Sequence, residues 1–202
     1  MRAWIRDVAE DLEAVRRHEP SIQSGLEALL CHTPLHAIAL YRLAHRILRH
    51  LGLRTPARMV SALAHWWSGV EIHPAAEIGR RFFIDHGTGV VIGETAEIGD
   101  DCVLFHNVTL GGTGKHRGKR HPTVGHSVLI GTGATLLGPI RVGDGAKVGA
   151  GAFIRMHDVP AGCTAVGVPA RIVKRDGRRV DEDLPRTQLS PASLPVAIAA
   201  EA

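Results

Sequence analysis

Thirteen histidines occur in the 202-residue chain, and two of them have neighbours that could put an imidazole to work. His86 lies in Asp85-His-Gly-Thr-Gly89, next to a carboxylate and to glycines that permit a tight turn. His121 follows Arg120 at the end of Gly111-Gly-Thr-Gly-Lys-His-Arg-Gly-Lys-Arg-His-Pro122, a stretch rich in glycine and base. Imidazole titrates near neutral pH, so it suits general-base work on a hydroxyl, a poor nucleophile when unaided. Such a base needs a second group, often a carboxylate, to orient it and steady its protonated form. A guanidinium can grip a carboxylate through two parallel hydrogen bonds. His32, His36, His45, His50 and His65 fall in a helical region and are expected to be structural or solvent-facing. Glu77, Glu94 and Glu97 read as solvated corner residues, and Asp100-Asp101 as a turn. His106 has no evident purpose from its sequence context.

The elements that must position these groups fall into three parts. Residues 1–70 read as an α-helical domain. Ile5, Val8, Leu12 and Val15 recur at spacings of three and four and predict one apolar helix face. Glu19-Pro20 ends that run, and Ser21 is a candidate cap for a short second helix. Leu35 to Leu51 predicts a third helix with Leu35, Ile38, Ala39, Leu43 and Ile47 as its buried stripe. Thr55-Pro56 reads as an N-cap with proline at the first helical position, opening a fourth helix that ends near Gly69.

From Ile72 the period becomes six. Val124, Ile130, Leu136, Val142, Val148 and Ile154 form one column, and Val128, Ala134, Ile140, Ala146 and Ala152 a second. The first column extends upstream as Ile72, Ile78, Ile84 and Val90, then slips by two and continues through Ile92, Ile98, Leu104 and Leu110. Neither an α-helix nor an ordinary sheet has period six. A hexapeptide repeat marks a parallel β-helix in which three short strands make one triangular coil. Residues 71–173 are read as this β-helix domain, with 111–122 as a loop thrown out from it. Loops on a rigid scaffold are favoured places for chemistry. Residues 174–202 are charged and then rich in Pro, Ser and Ala, and are expected to be an extended or disordered tail.

Composition narrows the function. A formal net charge of +4 suits a polyanionic small molecule as well as it suits nucleic acid. Aromatic residues make up only 4%, too few for a base-stacking platform, so no nucleic acid is expected. Cys31, Cys102 and Cys163 have no CxxC spacing, so neither a disulfide framework nor a thiolate zinc site is indicated. The residues after Met1 hold no apolar h-region, and no run approaches a membrane span. A cytoplasmic protein without a membrane partner is the expectation.

Three segments resemble the serine O-acetyltransferase family, in its compact form: Glu71-Ile-His-Pro through Asp85-His-Gly-Thr-Gly to Gly93-Glu-Thr-Ala96, the Gly-Gly-Thr-Gly-Lys loop with Arg120-His121-Pro122, and Gly167-Val-Pro-Ala-Arg-Ile-Val173. The resemblance spans roughly residues 1–175. It implies an α+β chain, an N-terminal α-helical domain followed by a left-handed parallel β-helix, and transfer of acetyl from acetyl-CoA to the L-serine hydroxyl, the first step of cysteine biosynthesis. It implies His86 as base, Glu71 as the acid that orients it and His121 as a further catalytic group. Asp85, Arg120 and Glu19 would bind serine, with Arg120 on its carboxylate and Asp85 and Glu19 on its ammonium. Gly112, Thr113, Thr132, Lys147 and Ala150 would bind acetyl-CoA. Relatives often have Asp at the positions of Glu71 and Glu19. No metal is expected. L-cysteine is the expected inhibitor, and a homotrimer or dimer of trimers the expected assembly. Family members bind the next enzyme, O-acetylserine sulfhydrylase, through a C-terminal Ile, whereas this sequence ends Ile198-Ala-Ala-Glu-Ala202, which argues against that complex.

Two other activities fit parts of the pattern. A hexapeptide O-acetyltransferase with a sugar or antibiotic acceptor would share the repeat and a histidine, but generally lacks the helical front end. A γ-class carbonic anhydrase would use His86, His121 and His126 on zinc, leaving the glycine loop, Arg120 and the helices without purpose. A non-enzymatic scaffold is the remaining class.

Overall fold

A computed structural model of the chain describes residues 2–114 and 117–188. Lys115 and His116 of the basic loop, and residues 189–202 of the tail, lie outside the described residues. Among the described residues the order is four helices and then short strands: α1 (Arg2–His18), α2 (Gly25–Cys31), α3 (Thr33–Leu51) and α4 (Arg54–Ser68), followed by sixteen strands numbered in chain order. None of these helices is long and apolar enough to cross a membrane.

The strands stack as three parallel faces. The first joins β1 (Glu71–Ile72), β4 (Val91–Ile92), β7 (Thr109–Gly111), β10 (Thr135–Leu137) and β13 (Phe153–Arg155). The second joins β2 (Glu77–Ile78), β5 (Glu97–Ile98), β8 (Thr123–Val124) and β11 (Arg141–Val142). The third joins β3 (Phe83–Ile84), β6 (Val103–Leu104), β9 (Leu129–Ile130) and β12 (Lys147–Val148), and is extended by β14 (Cys163–Gly167), β15 (Ala170–Arg175) and β16 (Arg178–Asp183). Inward aliphatics stack in register, as in Ile72–Ile92–Leu110–Leu136–Ile154, and the columns read from the sequence form one continuous core.

Two breaks in the coil matter for chemistry. Eighteen residues, three hexapeptides, separate Ile92 from Leu110 and Leu136 from Ile154. Twenty separate Ile72 from Ile92, and the surplus falls between Ile84 and Ile92, around Asp85–Gly89. Twenty-six separate Leu110 from Leu136, and that surplus is the 111–122 loop.

The helices clamp this prism at a buried ion pair. Arg42 donates Nε to Asp11 Oδ2 at 2.5 Å and Nη2 to Asp11 Oδ1 at 2.9 Å, and also caps the Gly79 carbonyl at 2.7 Å. Asp11 Oδ1 in turn accepts the Phe82 amide at 3.1 Å. Tyr41 donates its hydroxyl to the Ala76 carbonyl at 2.6 Å. These polar anchors displace part of the expected apolar stripes: Ile5 is 56% exposed and Leu43 39%, while Asp11, Tyr41 and Arg42 take inward positions. The caps differ as well. Ser24, not Ser21, caps α2 by accepting the Glu27 amide, because the helix begins only at Gly25; Ser21 is bonded to the Glu19 carboxylate. Leu53, not Thr55, is the N-cap of α4, which makes no side-chain cap bond, and Gly69 closes it at φ 72°.

The expected tail from residue 174 is corrected over its first part. Residues 178–183 form β16, antiparallel to β15, and Val180 packs on the core. Asp176-Gly177, both at positive φ, makes the hairpin turn that this dipeptide favours. The strand escapes an apolar-alternation reading because charge pairs hold it: Arg171 meets Asp181 at 2.8 Å and also Asp183, and Arg175 meets Glu182.

Candidate active site

The three edges of the prism sort the residues that could act. The edge between the third and first faces carries the Asp85–Gly89 turn, then Phe105–Asn107, Gly131–Gly133 and Gly149–Gly151 on successive coils. The edge between the first and second faces carries His73, Glu94, Thr95 and the 111–122 loop. The remaining edge carries Arg80, Asp100, Asp101 and His126. His86, His121 and His126 therefore stand on three different edges of one chain, not around a common point.

The His86 turn is tightly built. His86 adopts φ 60°, an uncommon left-handed conformation for a residue with a side chain. The Asp85 carbonyl accepts the Gly87 amide at 2.7 Å, and the Gly87 carbonyl accepts the Val90 amide at 3.0 Å. Gly87 is at φ 77°, and a Cβ there would sit 2.8 Å from Val70 and 2.9 Å from Pro34 of α3. The helical domain thus wedges the turn from behind while leaving the imidazole outside, its side chain 74% exposed. Its Nε2 lies 3.8 Å from Asp85 Oδ2. Glu19, just past α1, is close enough for its carboxylate to feel His86 and His32, but its drop below the usual carboxylate range comes mainly from the Ser21 hydroxyl and amide. His32 accepts the Leu35 amide at Nδ1 as the cap of α3 and stacks on Phe83, and burial lowers its basicity. Asp85 is thereby brought beside His86, and Glu19 makes no hydrogen bond or ion pair with either among the described residues. Glu71 faces outward from β1 beside Val91, and no hydrogen bond or ion pair joins it to His86 among the described residues.

The His121 side is built the opposite way. His121 is buried, 8% exposed, and its Nδ1 accepts from the Thr95 amide at 3.2 Å and the Thr95 hydroxyl at 2.9 Å. That hydroxyl accepts the Arg120 amide at 3.0 Å and the His121 amide at 3.2 Å. The bonding leaves Nε2 to carry the proton of the neutral ring. Burial and the adjacent Arg120 push the His121 pKa down to about 4. Gly93 makes room for the ring: a Cβ there would lie 2.1 Å from Nε2. Arg120 donates Nη2 to Glu94 at 2.5 Å, which holds the Glu94 carboxyl below its usual range. Lys119 bonds Glu97 at 2.9 Å and the Thr95 carbonyl at 2.8 Å. Glu94 and Glu97 are thus not idle corner residues; they pin the returning limb of the loop.

Thr95 and Glu94 escaped the sequence reading as site residues. The available signal was their place in Gly93-Glu-Thr-Ala96, one coil above the loop.

The proposed cofactor residues divide between the two edges. Thr132 and Ala150 lie below His86 on its own edge, at turns where a Cβ on Gly133 or Gly151 would meet nothing, so this strip of backbone is open. Gly112 and Thr113 lie with Arg120, and a Cβ on Gly112 would touch the Arg120 carbonyl at 3.2 Å. Lys147 points outward from the third face, beside a cleft shared with Thr164 and Lys174.

A coil built of six-residue repeats, an exposed histidine at one edge and a basic loop at another define a hexapeptide-repeat transferase, and residues 121–155 match the bacterial transferase hexapeptide family (six repeats). A serine acetyltransferase of Bacillus licheniformis is 49% identical over 181 residues, 90% of this chain and 83% of that protein. The solved serine acetyltransferase of Brucella abortus in complex with coenzyme A is 40% identical, with a TM-score of 0.80 over 85% of this chain and 68% of that one. A serine acetyltransferase in complex with cysteine is 42% identical, with a TM-score of 0.82 over 86% of this chain and 67% of that one. The chain belongs to the serine acetyltransferase family.

Proposed function

We propose that this protein is a serine O-acetyltransferase whose active site is completed between copies of the chain. The observation that carries the assembly is the separation of two half-sites, the His86 turn and the Arg120–His121 loop, onto different edges of the same prism. A threefold arrangement sets the His86 edge of one copy against the loop edge of the next. The homotrimer or dimer of trimers, and residence in the cytoplasm, belong to this reading. Cys31, Cys102 and Cys163 are free thiols, as suits a reducing compartment.

In the reaction, His86 removes the proton of the serine hydroxyl, and the oxygen attacks the acetyl carbonyl of acetyl-CoA. The tetrahedral intermediate collapses, its C–S bond breaks, and His86 returns the proton to the departing thiolate. The products are O-acetyl-L-serine and coenzyme A. Asp85 and Glu19 receive the serine ammonium, and Arg120 its carboxylate. Glu71, which faces outward from β1 without a bond to His86, has to turn toward the imidazole to brace it. His121, neutral and with its Nε2–H fixed, donates to the oxygen that gains charge. The pantetheine arm runs along the open strip at Thr132 and Ala150, with Gly112 and Thr113 of the neighbouring loop across from it and Lys147 toward the phosphates. Cysteine has the charge pattern of serine, so it competes at this site.

Thiol release from acetyl-CoA with a panel of amino acids and sugars tests the acceptor, with serine expected to be preferred. Mixing tests the seam. H86A and R120A are each expected to be inactive. After co-refolding in equal amounts, one intact site per mixed trimer returns about a quarter of wild-type activity. No recovery on mixing would place the whole site in one chain.

A further inference from the structure

We propose that His106 is a positioning residue for His86, acting through the shape of its ring. This rests on the reading of His86 as the base. The His86 side chain is 74% exposed and has few neighbours to set its orientation. One coil below, on the same edge, the His106 ring meets it edge-to-face, with centroids 5.7 Å apart and planes at 84°. This is a favoured geometry for two rings. His106 Nδ1 is buried without a partner, and its ring makes no hydrogen bond among the described residues. A polar anchoring role is therefore absent from the contacts, and the ring wall remains.

The backbone makes the same connection. Asn107, at φ 57°, donates its amide to the Thr88 carbonyl at 2.8 Å, and a Cβ on Gly89 would lie 2.0 Å from Asn107 Oδ1. The His86 turn is therefore seated on the corner formed by residues 106 and 107. His106 is held from below, where its carbonyl accepts the Gly133 amide at 2.9 Å. A wall fixed to two coils can restrict the imidazole to the orientation in which it reaches a hydroxyl, with Asp85 Oδ2 3.8 Å from its Nε2.

The test is steady-state kinetics of H106A and H106F beside H86A, with thermal melting to confirm folding. H106A is expected to lose about tenfold in kcat with the KM for serine within about twofold, the pattern of a misaimed base. H106F keeps a ring without nitrogen and is expected to recover most of kcat. Unchanged kcat in H106A, or recovery by H106N but not by H106F, overturns the proposal. If H86A itself turns over normally, the reading of His86 has failed and not the coupling to His106.

Discussion

The two edges of the first face treat their histidines in opposite ways. His86 stands on a left-handed turn, three-quarters exposed, with a carboxylate 3.8 Å away. His121 is buried, bonded through Nδ1 to Thr95, and depressed to about pH 4. The difference matches the roles proposed for the two groups. A base must exchange a proton during turnover, so its ring has to remain open to substrate. A hydrogen-bond donor to a developing oxyanion works best when its tautomer and direction are set beforehand. The protein supplies the first by pushing a strained turn outward, and the second by sinking a ring into the space left by Gly93.

The comparison breaks most visibly at the base. H86A is expected to lower kcat at least ~10²-fold with a melting temperature near that of the parent, because the side chain is largely in solvent. Near-normal turnover would remove the distinction between the edges. G93A probes the other edge without touching a reacting group. Its methyl would meet the His121 ring at 2.1 Å, so the ring must leave its seat, and a kcat loss of about 30-fold is expected from a misplaced donor. T95V keeps volume and removes the hydroxyl that serves Arg120, His121 and the imidazole together. Leaving those partners short costs about 1–3 kcal/mol, so a loss of about tenfold is expected, expressed in both kcat and the KM for serine.

The smallest effect is on stability. A histidine whose folded pKa lies near 4, against 6.5 in the unfolded chain, binds fewer protons folded than unfolded across that window. Its contribution is present above about pH 6.5 and is lost as the pH falls toward 4. Melting curves of H121Q and parent should differ in their slope against pH in that window alone; parallel slopes would mean that His121 is not held neutral.

Much of this was legible in the residues. Period six gave away the coil, and both breaks in the period fell at the chemical centres: the slip by two at the His86 turn and the excursion at the 111–122 loop. The aliphatic columns were read correctly but for Val90, because a coil position repeats locally and the inward side chain has one place to go; Val90, read into the first column, lies in the second beside Val108, since the two-residue surplus precedes it. The helical stripes were less readable, since Arg42 and Asp11 look like surface residues until they meet the backbone of residues 78–82. Strand β16 hid behind its charges for the same reason.

Sequence alone determined that the chain would wind as a hexapeptide coil, where its regularity would fail, and which side chains at those failures could move a proton. Tertiary structure decided which edge each of them reached, that Thr95 and Glu94 would brace the loop, and that Asp85 rather than Glu71 would lie nearest the imidazole. Periodicity is a local property of neighbours in the chain. An edge, by contrast, is assembled from residues a whole coil apart, and their meeting depends on every insertion between them.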